Sequence, residues 1–295
     1  MPEPNESPDP TSPPEKERSF FGIIIHSFFI IPFLIAVFCV LLFAAVRLLT
    51  HEQQTVYDFL NDVKTGGVTK RWQAAFELSK VLANPKLIPH EERFANELMN
   101  AFVHSGDDDP RVRQYLALAM GRTGDRQYFE SLTKDIANEK EENLPSILYA
   151  LGMLQDKRGD TIIANYLDHP NARIRSIAVV ALGNIGDASA KKFLKKTLND
   201  PEPNVQWGSA ISLAQMGDPA GKEILSQLLN RPYLSQFPEV DLYEQNYLIL
   251  NTINAAAKLN DPELNQKIIE LSKMDKNMNV RAAAMKFSEN LKKLR

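Results

Sequence analysis

Few side chains in this sequence could do chemistry, and their spacing fits none of the common active-site patterns. The five histidines contain no His-x-x-x-His pair, so a helical zinc-protease site is excluded. The only cysteine, Cys39, lies in a long apolar run, which excludes a catalytic thiol, a cysteine-ligated zinc ion and an intramolecular disulfide. Residues 217–223 are too short for a phosphate-binding loop, and Glu223 replaces the required Ser or Thr. We therefore predict no catalysis, no cofactor or metal, and no small-molecule substrate.

One apolar run dominates the amino-terminal part of the chain. No charged side chain occurs between Arg18 and Arg47. A helix of about 20 residues crosses a bilayer core, so this run is long enough to span it. A cleaved signal peptide is disfavoured, because its apolar region is usually about 7–15 residues long and ends in a small-x-small site, which is missing here. The run predicts an uncleaved single-pass transmembrane helix over residues 19–47.

The segments that flank this helix differ in composition. Residues 1–18 contain six prolines together with acids and serines, and they predict a disordered, Pro-rich acidic tail. Residues 47–295 carry 32 acidic and 32 basic side chains, and this balance argues against a nucleic-acid partner. Positive charges on the two sides of the helix are too similar to orient it. The absence of cysteine pairs favours a cytoplasmic location for the residues that follow the membrane helix.

An internal repeat organises the rest of the chain. Three segments, 112–125, 174–187 and 205–218, align without gaps, and each ends in Gly-Asp. Weaker copies lead us to place further turns at Gly159-Asp160, after a four-residue insertion, and at Asn260-Asp261. The five turns are then separated by 35, 27, 31 and 43 residues. This spacing is typical of helical hairpins that stack into a solenoid.

The residue types in each copy support the same interpretation. Apolar residues recur at helical spacing, glycine is suited to a left-handed helix end, and the following aspartate can cap the next helix. We predict an all-α solenoid of about six to seven helical hairpins, preceded by one transmembrane helix. Residues 48–104 would form degenerate capping repeats, and residues 105–295 the main repeats.

The motif Asp-Pro…Val-Arg…Ala-Leu-Gly…Gly-Asp, best preserved at residues 109–125 and 168–187, resembles the HEAT-repeat family. It resembles more narrowly the bacterial phycobilisome-lyase HEAT-like type. This resemblance implies a scaffold or adaptor that binds a protein partner. It also implies that arginines pair with aspartates between units, whereas an anion-binding role remains the alternative. The residues of this structural repeat ladder are Arg113, Asp125, Arg175, Asp187, Asp218 and Arg281.

The resemblance leaves two other functions open. Di-iron hydroxylases with HEAT-like repeats need four His-Glu pairs, and this sequence has two, His51-Glu52 and His90-Glu91. A bilin lyase function is suggested by the name of the repeat type alone. A third alternative is a structural spacer at the membrane surface. We favour an adaptor that is anchored by residues 19–47 and binds a partner in a membrane or membrane-associated complex.

Two surfaces are candidates for that contact. Residues 231–243 lengthen one unit with aromatic residues between prolines, and this insertion either binds a partner or folds back over the stack. Its candidate partner-binding residues are Tyr233, Leu234, Phe237 and Tyr243. A lysine-rich helix face either contacts anionic lipid or is simply solvated. Its residues are Lys191, Lys192, Lys195 and Lys196.

Overall fold

The structure, a computed structural model, describes residues 26–49 and 54–293. The chain divides into two compact units, Met1–Gln54 and Thr55–Arg295. The predicted Pro-rich tail and the first seven residues of the predicted membrane helix lie outside the described residues. The His51-Glu52 pair also lies outside them.

The described part of the first unit is one apolar helix. It begins with a π-helical turn, His26–Ile30, and continues as helix α1, Ile31–Leu49. Every side chain from Phe28 to Val46 is exposed, and the mean hydropathy of this stretch is 3.1. Among the described residues this is the one helix whose length and composition suit a membrane span. A signal sequence near an amino terminus has the same two properties.

The second unit is helical throughout its described residues and consists of seven hairpins. In chain order its helices are α2 (Val56–Thr65), α3 (Val68–Val81), α4 (Glu92–Val103), α5 (Pro110–Thr123), α6 (Phe129–Thr133), α7 (Leu144–Leu154), α8 (Gly159–Ala164), α9 (Ala172–Ile185), α10 (Lys191–Thr197), α11 (Pro203–Gln215), α12 (Lys222–Leu228), α13 (Arg231–Leu234), α14 (Leu242–Ala256), α15 (Pro262–Met274) and α16 (Met278–Lys293). Short 3-10 turns lie at Pro85–Leu87, Arg126–Tyr128, Ile136–Asn138, Ala188–Ala190 and Pro219–Gly221. The three helices predicted in residues 48–104 are α2, α3 and α4.

The hairpins stack so that their helices form two rows. The front row consists of α3, α5, α7, α9, α11, α14 and α16, each of which packs on the next. The back row consists of α2, α4, α6, α8, α10, α12 and α15, and four of its helices have seven or fewer residues. Such short helices are not stable alone, so stacking on neighbouring hairpins must stabilise them.

The front-row helices end at a strictly spaced turn. The backbone is left-handed, with φ between 50° and 73°, at four positions 31 residues apart: Gly124, Gln155, Gly186 and Gly217. An aspartate follows each of them and accepts a hydrogen bond from the amide two residues later: Asp125, Asp156, Asp187 and Asp218. Asn260 and Asp261 repeat this arrangement after a longer unit.

This spacing corrects the predicted register of the second copy. The turn lies at Gln155-Asp156 and not at Gly159-Asp160, so the predicted four-residue insertion does not exist. Gly159 is instead the first residue of helix α8, where it packs against Ile185. A non-glycine residue at the left-handed position hid the repeat from the sequence pattern.

Small residues set the distance between front-row helices. A Cβ atom added at Gly152 would lie 2.6 Å from Cα of Ala181 on the next front-row helix. Gly121 faces Ala150 in the same way, at 2.7 Å. Any larger side chain at these positions would separate the two helix backbones. The glycine of the Ala-Leu-Gly motif is therefore needed for close packing.

Two clusters of buried side chains form the core of the second unit. The first extends from Val56 to Leu213, so the degenerate amino-terminal hairpins share one core with the regular repeats. The second extends from Trp207 to Ala284 and includes the insertion. Helix α11 contributes side chains to both clusters.

We expect Gly152→Val to lower the free energy of unfolding by about 3 kcal/mol, because the added side chain meets backbone atoms of Ala181. Gly106→Val is the matched control, since a Cβ atom there meets nothing within 4 Å and the change should cost less than about 1 kcal/mol. Urea unfolding followed by circular dichroism measures both values. Equal effects of the two substitutions would contradict the close-packing role.

Candidate functional site

The aromatic insertion covers the stack. The Trp207 ring on α11 contacts Phe237 edge to face, with 4.9 Å between ring centroids. Its indole N–H donates a hydrogen bond of 3.3 Å to the Tyr233 hydroxyl. Leu234 is fully buried in the second core cluster. The structure therefore corrects the prediction for Tyr233, Leu234 and Phe237, whose apolar surface packs inside the protein and not on a partner.

Tyr243 is the exception among the four predicted contact residues. It begins helix α14 and is 79% exposed, next to an exposed Leu242. Tyr247, one helical turn later, is also exposed. These side chains leave apolar area in water at the carboxyl end of the insertion, which is where a partner could still be contacted.

The four lysines of the predicted basic face lie on the short helix α10. Lys192, Lys195 and Lys196 are exposed, and Lys191 is half-buried. Lys195 forms an ion pair of 2.9 Å with Asp218 of the next turn, so part of its charge is already compensated. Lys192 lies against the ring of Phe193. Contact between this face and anionic lipid stays a prediction.

The predicted ladder of arginines and aspartates is two separate rows in the structure. Arg175 forms two hydrogen bonds of 2.8 Å with Asp200, at the turn before the next front-row helix. Arg113 pairs in the same way with Glu139. Arg281 donates to the backbone oxygen of Asp275 and has no carboxylate partner among the described residues. The arginines thus fix the turns between the two helices of a hairpin.

The aspartates of the Gly-Asp turns belong to the other row. Asp187 accepts a hydrogen bond from Lys157, which lowers the pKa of Asp187 to about 2. Asp218 pairs with Lys195 in the same way, and Asp125 caps the turn that begins at Arg126. These contacts join successive hairpins at the opposite end of the front-row helices.

Two arginines with the same structural role were not predicted. Arg71 in the first hairpin pairs with Asp108 and also donates to the backbone oxygen of Val63. Arg231 at the start of the insertion forms a bidentate pair with Asp275, whose side chain is 1% exposed. Neither lies in a recognisable copy of the motif. The nearest sequence signal is a basic residue close to the start of a helix.

A groove that was not predicted runs along the exposed faces of four consecutive front-row helices, α7, α9, α11 and α14. Its volume is about 680 Å³. Three bands of side chains line it, and each band follows the 31-residue period from one helix to the next. We call them the charged band, the apolar band and the amide band.

The apolar band occupies the middle of the groove. Tyr149, Val180 and Ile211 are separated by 31 residues and lie at equivalent positions of α7, α9 and α11. Tyr247 and Leu248 continue the band on α14. Tyr149 and Tyr247 are exposed, and neither hydroxyl has a hydrogen-bond partner within the described chain. The period of these residues was visible in the sequence, but only in the register that Gln155 defines.

The other two bands are polar. Arg173, Glu202 and Glu244 lie at the amino-terminal ends of the lining helices and form the charged band, together with Asn204. Asn184, Gln215 and Asn251 form the amide band on the other side. Their side-chain amides make no hydrogen bond with any described residue. The groove therefore offers free donors and acceptors beside exposed apolar surface, which is typical of binding sites.

Among the described residues, no group of three or more His, Cys, Asp or Glu side chains could hold a metal ion. His90 and Glu91 lie between helices on the surface, where Glu91 accepts a hydrogen bond of 3.1 Å from Tyr57. This pair thus takes part in a contact between the first two hairpins.

The arrangement of stacked helical hairpins defines an α-solenoid. Residues 159–235 match the model of the HEAT repeats family. The second unit of this chain is therefore a HEAT-repeat solenoid. The comparison with curated proteins found no match.

Solved structures agree on the fold. The complex of CpcE and CpcF of phycocyanin lyase from Nostoc sp. PCC7120 is similar with a TM-score of 0.56 at 19% identity, covering 82% of this chain and 96% of that one. Human deoxyhypusine hydroxylase in complex with glycerol gives a TM-score of 0.34 at 16% identity, covering 80% and 96%. A designed armadillo repeat protein gives 0.36 at 14% identity, covering 79% and 98%. With TM-scores below 0.5, the last two carry no argument.

We expect Arg175→Ala to lower the free energy of unfolding by about 3 kcal/mol, because it leaves a nearly buried Asp200 carboxylate without its cation. Arg173→Ala is the matched control. That arginine is exposed, its guanidinium has no partner among the described residues, and its loss should cost less than about 0.5 kcal/mol. Chemical unfolding of both variants measures the difference.

The effect of Arg175→Ala should also depend on pH. Burial opposes ionisation of Asp200, but hydrogen bonds from Arg175 and from the Glu202 amide keep its pKa below the usual value. The stabilisation is therefore complete above a pH of about 4 and is lost as the pH falls through the pKa of the folded state. A difference between wild type and variant that stays constant down to pH 2 or so would contradict this pairing.

Proposed function

We propose that this chain is a membrane-anchored HEAT-repeat adaptor that binds a protein partner in the groove of α7, α9, α11 and α14. The observation that carries the proposal is the groove itself, where exposed apolar side chains lie between two bands of unpaired polar groups. Desolvated tyrosine side chains contribute strongly to protein interfaces, and Tyr149 and Tyr247 are available for this.

The anchor in this proposal rests on the apolar helix. The stretch Phe28–Val46 has no buried side chain and is long enough to cross a bilayer core. Exposure of so much apolar surface to water would be unfavourable, whereas a bilayer removes it from water. A partner within a membrane-associated complex fits such an adaptor, and we place the repeats in the cytoplasm.

A photo-crosslinking amino acid at position 247 tests the binding proposal in the full chain in its native membranes. We expect a defined adduct with another polypeptide at position 247 and none at position 227, an exposed back-row site. Tyr149→Asp should reduce the adduct at least about tenfold, because it puts a charge into the apolar band. Adducts of equal yield at both positions, or an adduct insensitive to Tyr149→Asp, would count against the groove.

Single cysteines labelled with a membrane-impermeant maleimide test the anchor and its orientation. In a Cys39→Ser background, Ser7→Cys and Thr161→Cys place one thiol on each side of the apolar helix. We expect Ser7→Cys to react in intact cells and Thr161→Cys to react only after permeabilisation. Reaction of both under one condition would exclude a span, and the reverse pattern would exclude a cytoplasmic repeat unit. A chain that has lost residue 7, as judged by its mass, would indicate a cleaved signal sequence.

A further inference from the structure

The chemistry of the groove bands also defines the kind of partner segment that fits. We infer that the groove binds an extended, proline-rich segment of the partner in the polyproline II conformation, with a large apolar side chain at every third residue. This inference rests on the proposed function and names the chemical class of its partner. Three features of the bands support it.

The first feature is the spacing of the apolar band. Each front-row helix contributes an equivalent apolar position, as at Tyr149, Val180 and Ile211. Packed helices lie about 8–10 Å apart, and three residues of polyproline II rise about 9 Å. Every third side chain of such a segment would therefore meet one helix. In a β-strand, side chains on the same face recur after about 7 Å, so a strand would lose the register.

The second feature is the set of unpaired amides. A bound helix satisfies its own backbone groups, so it would cover Asn184, Gln215 and Asn251 without offering them partners. Buried polar groups without hydrogen bonds are costly. A polyproline II segment has no internal hydrogen bonds, so its backbone carbonyls remain free to accept from these amides. The amide band thus favours an extended segment over a helix.

The third feature is the distribution of charge. Arg173 lies on α9, whereas Glu202 and Glu244 lie towards α11 and α14, so the charged band changes sign along the groove. Neither Arg173 nor these glutamates form an ion pair within the described residues. A segment with an acid at one end and a base at the other would match this order in only one direction.

Fluorescence anisotropy with defined peptides tests the inference on the full chain in lipid nanodiscs, with empty nanodiscs as blanks. The probes are Asp-(Pro-Pro-Leu)₄-Lys and the charge-reversed Lys-(Pro-Pro-Leu)₄-Asp. We expect one of them to bind at least about tenfold more tightly than a peptide of the same composition with its four leucines adjacent. Residues 2–18 of this chain, which have six prolines but no large apolar side chain, should not bind.

Variants connect the binding to the groove. Asn184→Ala combined with Gln215→Ala removes two hydrogen-bond donors and should weaken the bound probe by about tenfold. The matched control combines Asn165→Ala with Gln227→Ala, two exposed back-row residues without side-chain hydrogen bonds in the described chain, and should change nothing. Equal weakening by both pairs would overturn the inference.

A helical peptide with leucines at positions i, i+3, i+4 and i+7 separates this inference from the proposed function. Tighter binding of the helical peptide than of both proline probes would overturn the extended segment while leaving an adaptor in place. Absence of binding by every peptide would overturn the inference too. Crosslinking at position 247 would then report independently on whether the groove binds any partner.

Discussion

At Gly121 and Gly152 the front-row helices approach so closely that no Cβ atom fits between them. This close approach requires a small residue on each helix and so repeats every 31 residues along the chain. Because the contact faces are fixed in this way, the opposite faces of the same helices are also in register. The three bands of the groove are a consequence of that register, since equivalent positions on successive helices become neighbours in space.

Much of the fold can be read from local chemistry. Glycine followed by aspartate predicts a helix end and a cap, and Gly186-Asp187 forms both. The same rule failed at Gln155, because a residue other than glycine adopts the left-handed conformation where the surrounding repeat imposes it. The groove depends on this one position, since an error of four residues moves every later side chain to another face of its helix.

The insertion could not be interpreted from the sequence for a different reason. Aromatic residues between prolines suit a binding loop and a core-covering loop equally well, and only their partners distinguish the two. Trp207 decides the outcome, because its buried ring needs apolar neighbours and a hydrogen-bond acceptor, which Phe237 and Tyr233 supply. The pairing of Arg231 with Asp275 fixes the start of the same loop across 44 residues of sequence.

The two core clusters meet at helix α11, and each cluster has one of the two tryptophans of the chain. Trp72 packs partly buried against the first cluster, and Trp207 is buried in the second. Stacked hairpins interact mainly with their nearest neighbours, so the two blocks need not lose their structure at the same denaturant concentration. Intrinsic fluorescence of single-tryptophan chains would follow each block separately and so reveal how far cooperativity extends through α11.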